Sequence, residues 1–151
     1  GILIYLATII LITTIFAFTQ KKQNNNNSLF TKDLQPNQLE QIDNANILES
    51  FTGLGRIRIS THPDSKGKKV PLVVSPWFSY QKGDEQFFEE LSKKSAIIKS
   101  IIVQYFSLYT EEELQSLSET EIKTELTMQI NQHLILGQIE NIYFSEYIFL
   151  K

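Results

Sequence analysis

Hydrophobic and polar positions alternate along this chain in three distinct ways. From Gly1 to Phe18 (GILIYLATIILITTIFAF) the apolar residues run on without a charge or a proline. At about 1.5 Å rise per residue, roughly 18–20 helical residues cross the hydrocarbon of a bilayer, about 30 Å thick. A buried core helix would need cover on every side, which a chain this short rarely provides. The pattern predicts one membrane-spanning helix over residues 1–20, anchored by Ile2, Leu3, Ile4, Leu6, Ile9, Ile10, Leu11, Ile12, Ile15, Phe16 and Phe18. A cleaved export signal competes with this reading, because Ala17-Phe18-Thr19 loosely approximates a small-x-small site. The apolar run exceeds the usual signal core of about 7–15 residues, which favours retention. Ala7, Thr13, Thr14 and Ala17 are the span's small or hydroxyl residues, the candidate side for contact with a neighbouring span. Lys21 and Lys22 follow it; the positive-inside tendency alone would place that side in the cytoplasm, but a flank expected upstream of Gly1 competes, so charge leaves orientation open.

In residues 21–47 the apolar pattern gives way to Asn and Gln (QNNNNS, then LQPNQLEQIDNAN), the composition of a spacer. Pro36 followed by NQLEQI is the one place there where a short helix could open. Residues 48–151 then suffice for a single modest core. In GRIRIST, Ile57 and Ile59 alternate with Arg56, Arg58 and Ser60, the period of a strand with one solvated face. Turn residues His62 to Gly67 lead into KVPLVVSPWFSYQ, a second extended run, so the two form a hairpin. Pro71 and Pro76 cannot donate ladder hydrogen bonds, which predicts edge exposure or a bulge in that strand.

Period 3.6 takes over at Asp84, a capping residue, and predicts one helix to about Phe106 with Leu91, Ile98, Ile101, Ile102 and Tyr105 inward. Thr110 precedes Glu111, Glu112 and Glu113 as a helix start favoured by the macrodipole. Ser118-Glu119-Thr120-Glu121 fits a capping box and opens a helix with Ile122, Leu126, Ile130 and Leu134 on one side, ended by Gly137 as a left-handed cap. QIENIYFSEYIFL is read as a strand. Simple alternation puts Ile142, Phe144, Ile148 and Leu150 on one face and Ile139, Tyr143, Tyr147 and Phe149 on the other. The fold class is α+β.

Composition narrows the chemistry. With no cysteine there is neither a lipoprotein anchor nor a disulfide framework. No Gly-rich phosphate loop occurs, and His62 and His133 lie too far apart in sequence to suggest a metal site. Glu89-Glu90 and Glu111 to Glu113 supply adjacent carboxylates, but neighbours on a helix point in different directions, so solvation and capping outweigh acid–base work. The net charge of −3 disfavours nucleic-acid binding. The expectation is a non-enzyme with no cofactor and no metal.

Charge is unevenly placed. Arg56, Arg58, Lys66, Lys68 and Lys69 gather on the hairpin, while Glu85, Glu89, Glu90 and the later glutamates gather on the helices. A protomer with opposite charges on separate surfaces can join head to tail, and a heterologous contact that closes makes a ring. Two solvated faces are the plainer reading. The candidate oligomer contacts are Arg56, Arg58, Lys68, Lys69, Glu85, Glu89 and Glu90, together with Tyr143, Tyr147 and Phe149 on the aromatic side of the last strand.

The helix, glycine and aromatic strand in IKTELTMQINQHLILGQIENIYFSEYIFL resemble the C-terminal signature of the FliL family, flagellar basal body-associated proteins. The matching positions are Ile130, Asn131, Gly137, Ile139, Ile142, Tyr143, Phe144 and Tyr147, and SAIIKSIIVQYFSLYTEEEL is similar to the family's run of paired isoleucines. The prolines and Trp77 between Arg56 and Gln81 depart from the common family pattern. The resemblance implies a single-pass protein of the bacterial inner membrane whose compact domain, like that of stomatin and prohibitin proteins, lies in the periplasm. It further implies a ring around the stator, with the subunits MotA and MotB as partners, that sustains the active stator and supports torque and motility. The reading from a different class is a membrane-tethered extracytoplasmic binding module unrelated to the motor, or an envelope hydrolase with a shallow site.

Overall fold

The computed structural model describes residues 33–43 and 45–151. The expected membrane span, its small-residue side and the first part of the spacer lie outside the described residues. Among those described, no helix is long and apolar enough to cross a membrane.

One antiparallel sheet is built around a long central strand. β3 (Pro71–Gln81) pairs with β1 (Leu48–Phe51) and β2 (Ile57–Ser60), which occupy successive stretches of the same edge, and with β4 (Ile142–Phe149) on the other. The predicted hairpin is the β2–β3 pair, with Ile57 and Ile59 buried and Arg58 exposed between them. β3 is central, not an edge. Its prolines are accommodated because Pro71 opens the strand and Pro76 sits in the stretch that neither β1 nor β2 pairs, beside a bulge.

That bulge corrects the reading of the last strand. Ser75 pairs with Glu146 and Pro76 with Phe144, so Ser145 is an extra residue and the alternation changes phase there. Ile142, Phe144, Tyr147 and Phe149 therefore all face the core. Tyr143, Ile148 and Leu150 face outward; Ile148 and Leu150 are exposed. Tyr147 and Phe149 are 1% and 8% exposed and cannot meet a partner subunit.

Four helices cover the inner face. The single helix expected from Asp84 to Phe106 is two: α1 (Glu85–Lys93), capped by the Asp84 side chain, and α2 (Ser95–Ser107). They separate at Lys94, whose backbone leaves helical geometry (φ −93°, ψ 5°). α3 (Glu111–Ser116) and α4 (Glu119–Asn131) start where their sequences predict, α4 on the expected capping box at Ser118 and α3 on a further one at Thr110. Ile98, Ile102 and Phe106 of α2, Leu114 of α3, and Ile122, Leu126 and Ile130 of α4 meet Leu72, Val74 and Phe78 of β3 in one core. Phe106 lies edge-on to both Phe144 and Tyr147, the favoured geometry of packed rings.

The outer face is covered by chain that composition had marked as spacer. Asp33 to Asp43, including a 3-10 helix at Pro36–Gln41, packs across it, with Leu39 buried. Trp77 is sealed beneath, stacked on Tyr143 at 4.4 Å. The short helix considered at Pro36 thus forms as a 3-10 turn, and this part of the spacer is docked.

A candidate interaction surface

α1 carries a stripe of Phe87, Glu90 and Leu91 toward the body of the protein. A carboxylate in such a stripe is costly to bury unless it is fully hydrogen-bonded and paired. Glu90, 7% exposed, meets that condition. It accepts the backbone N–H groups of Ile135 and Leu136, both at 2.8 Å, and pairs with Lys94 at 2.7 Å. The Lys94 ammonium also donates to the His133 carbonyl, which ties the interruption between α1 and α2 to the loop after α4. Burial by itself raises the Glu90 carboxyl, but hydrogen bonds from Lys94, Leu136 and Ile135 and the Lys94 charge outweigh it and hold the group below its usual range.

The clamped loop is short and braced at both ends. Asn131, the last residue of α4, accepts the Ile139 N–H at 2.8 Å and donates to the Ile139 carbonyl at 2.9 Å. Gly137 does not take the left-handed conformation expected of a helix cap, and α4 has already ended six residues earlier. Glycine is needed there because a Cβ would stand 2.8 Å from the Phe87 ring. With its amides turned inward, the loop presents Ile135 and Leu136 to solvent, 84% and 55% exposed. A groove of about 370 Å³ lies between this tip and α1, walled by Gln86, Glu89, Lys93 and Lys94. An apolar centre with a polar rim, on a backbone held by the Glu90 and Asn131 hydrogen bonds, resembles the centre and rim of a protein contact.

The predicted contact residues separate into those on the surface and those used within the fold. Arg58, Lys68 and Lys69 are exposed on β2 and the β2–β3 loop, whose turn is held by Asp64 accepting the Lys66 and Lys68 N–H groups. Arg56 is paired within the chain to Glu146 at 2.8 Å. Glu85 and Glu89 are exposed on α1, with Glu89 3.5 Å from Lys93. Glu90 is unavailable to a partner because it holds the loop. Tyr143 is half-buried against Trp77. The basic loop enters β3 and α1 follows it, so the two charged surfaces stand at opposite ends of a strand about 33 Å long.

Sequence reasoning missed the Glu90 clamp and the Ile135–Leu136 tip. A signal for each was present: an acid on the apolar face of α1, and three apolar residues in a row, Leu134 to Leu136, just before a glycine. For chemistry, no group of three or more His, Asp or Glu able to hold a metal occurs among the described residues.

Comparison with known proteins places these features in a family frame. The family model described as flagellar basal body-associated protein FliL matches residues 54–149, which include the clamp, the tip and β4. The flagellar protein FliL of Treponema pallidum (strain Nichols) is 25% identical over 152 aligned positions, covering 100% of this chain and 78% of that protein. The flagellar protein FliL of Aquifex aeolicus (strain VF5) is 30% identical over 66 residues, covering 43% of this chain and 41% of that protein.

Proposed function

This chain belongs to the FliL family of flagellar basal body-associated proteins, and from that premise we propose that it is a non-enzymatic accessory of the flagellar motor. In this reading residues 1–20 fix it in the bacterial inner membrane and residues 48–151 form a domain in the periplasm. Copies assemble, as a ring, around the stator subunits MotA and MotB and sustain the stator's active state. The work is done by binding energy alone.

The observation that carries the proposal is the clamped apolar tip. A buried ion pair and two charge-assisted hydrogen bonds hold Ile135 and Leu136 in water, an apolar pair whose burial under a second protein would be favourable. The separation of the basic loop from the acidic α1 surface supports a head-to-tail contact between copies. Arg58, Lys68 and Lys69 are the better basic candidates, since Arg56 already has a partner. The test is co-purification of MotA and MotB with the full-length protein and with a variant carrying Ile135→Ser and Leu136→Ser. The variant is expected to fold normally, because both side chains are exposed, and to lose the assembly. An unchanged assembly would remove the tip from the interface.

A further inference from the structure

The segment Asp33–Asp43 is the path by which the apolar N-terminus reaches the sheet, and its attachments are concentrated at the upstream end. Asp33, its side chain 6% exposed, accepts the Phe144 N–H at 2.7 Å and pairs with Lys123 at 3.0 Å. Lys123 in turn pairs with Glu119 at 2.7 Å and sits 5.2 Å over the Tyr143 ring. Trp77 donates its indole N–H to the Leu34 carbonyl at 2.9 Å, and Gln35 donates to the Ser145 carbonyl. Beyond these, Leu39 is the one apolar side chain of the segment that is fully buried. At the downstream end Asp43 accepts the Leu48 N–H, and the chain turns at Asn46, whose φ of 51° is the left-handed conformation that asparagine tolerates.

Leu39, the covered Trp77–Tyr143 stack, the Asp33–Lys123 pair and a few hydrogen bonds here offset the backbone entropy of eleven residues, about 1–2 kcal/mol each, so docking is a small difference between opposing contributions of similar size. Were the chain anchored through residues 1–20, tension through the N-terminus would meet the Asp33, Leu34 and Gln35 attachments before Leu39.

We infer that residues 33–43 are a releasable strap. Docked, it shortens the tether; released, it lengthens the tether and uncovers the Trp77–Tyr143 stack. This inference rests on the membrane-anchor reading of residues 1–20. Fourteen residues, 19–32, separate the apolar run from Asp33 and reach at most about 50 Å; release adds eleven more, up to about 40 Å. Release therefore extends the greatest distance of the domain from the bilayer, from about 50 to about 90 Å.

Trp77 is the only tryptophan in the chain, so its emission reports on the strap directly. The experiment measures acrylamide quenching of the full-length protein in detergent for the parent, Asp33→Ala and Leu39→Ala, alongside helical melting. Loss of hydrogen bonds to a charged acceptor is expected to raise the released population about tenfold or more. Quenching then rises severalfold and the emission shifts to the red, while the helical transition stays within a few degrees of the parent. Trp77 equally shielded in both variants overturns the inference. So does exposure that appears only together with loss of helix, which would make the strap an integral part of the core. Alkaline extraction scores the anchor separately: a chain that washes off the membrane overturns the tether, whatever Trp77 reports.

Discussion

Glu90→Gln is the most informative single change, because it keeps the shape of the side chain while removing the charge on which the clamp depends. The carboxylate accepts three hydrogen bonds at 2.7–2.8 Å, two from loop amides and one from Lys94. Each bond to a charged group contributes about 1.5–3 kcal/mol taken singly. They are not additive, and Lys94, 25% exposed at its side chain, regains some hydration. Removing one partner of a fully buried pair costs about 3–5 kcal/mol, so a discounted loss of about 2–4 kcal/mol is expected. For a domain of this size that lowers the melting temperature by about 10 °C or more. The effect has a pH signature. A folded-state pKa below the unfolded value means that the folded protein binds fewer protons, so the contribution is present above about pH 4.5 and is lost as pH falls through the lower folded value. The gap between parent and Glu90→Gln should therefore narrow on acidification below pH 4.5. Hydrogen exchange gives the local readout: the Ile135 and Leu136 amides should lose protection, with the β3–β4 amides little changed. Equal protection of those two amides in parent and variant would refute the clamp.

Three further outcomes follow from the same geometry. Gly137→Ala should cost about 1–3 kcal/mol by steric overlap with Phe87, not by backbone strain, so Phe87→Leu should recover part of the loss in a denaturation double-mutant cycle. Asn131→Ala should cost about 1–3 kcal/mol by leaving both backbone groups of Ile139 without their side-chain partner, and Asn131→Asp should restore only the acceptor half, as read by urea midpoints. Reversing Arg58, Lys68 and Lys69 to Glu should leave the melting temperature nearly unchanged, since all three are exposed, yet lower the mass of the assembly at low salt. An unaltered mass at every salt concentration would exclude the basic loop from the contact between copies.

Local rules carried the sequence reading a long way. Asp84 and Ser118 cap as expected, and a helix starts after Thr110 as expected, because these signals lie within three residues and are visible without tertiary structure. The β2–β3 hairpin was legible for the same reason, in the alternation of Arg56 to Ser60. What escaped depends on distant partners. The break at Lys94 accompanies a side chain that reaches His133 and Glu90. The phase of β4 turns on one extra residue, Ser145, inserted opposite the Ser75–Pro76 step, and no periodicity announces it. β1 is four residues long, too short for a pattern, and exists by pairing with β3. Residues 33–43 read as a polar spacer because they are held by one buried leucine and by hydrogen bonds and an ion pair to residues more than forty positions away.

The candidate contacts divide along the same line. The exposure of Arg58 followed from alternation along β2, and that of Lys68, Lys69, Glu85 and Glu89 from charge alone. Tyr147 and Phe149, taken for an outward aromatic side, are core because of the bulge. Glu90, counted among surface acids, organises the loop from within. The tip it holds was hidden in a run of apolar residues that looked like the tail of a helix.

The most direct test of the motor reading is the mass of the full-length protein in detergent, measured by light scattering with and without co-expressed MotA and MotB. A ring around the stator should give a closed oligomer that gains the mass of the stator when MotA and MotB are present. A monomer whose mass is unchanged by them would contradict it and return the weight to a tethered binding module.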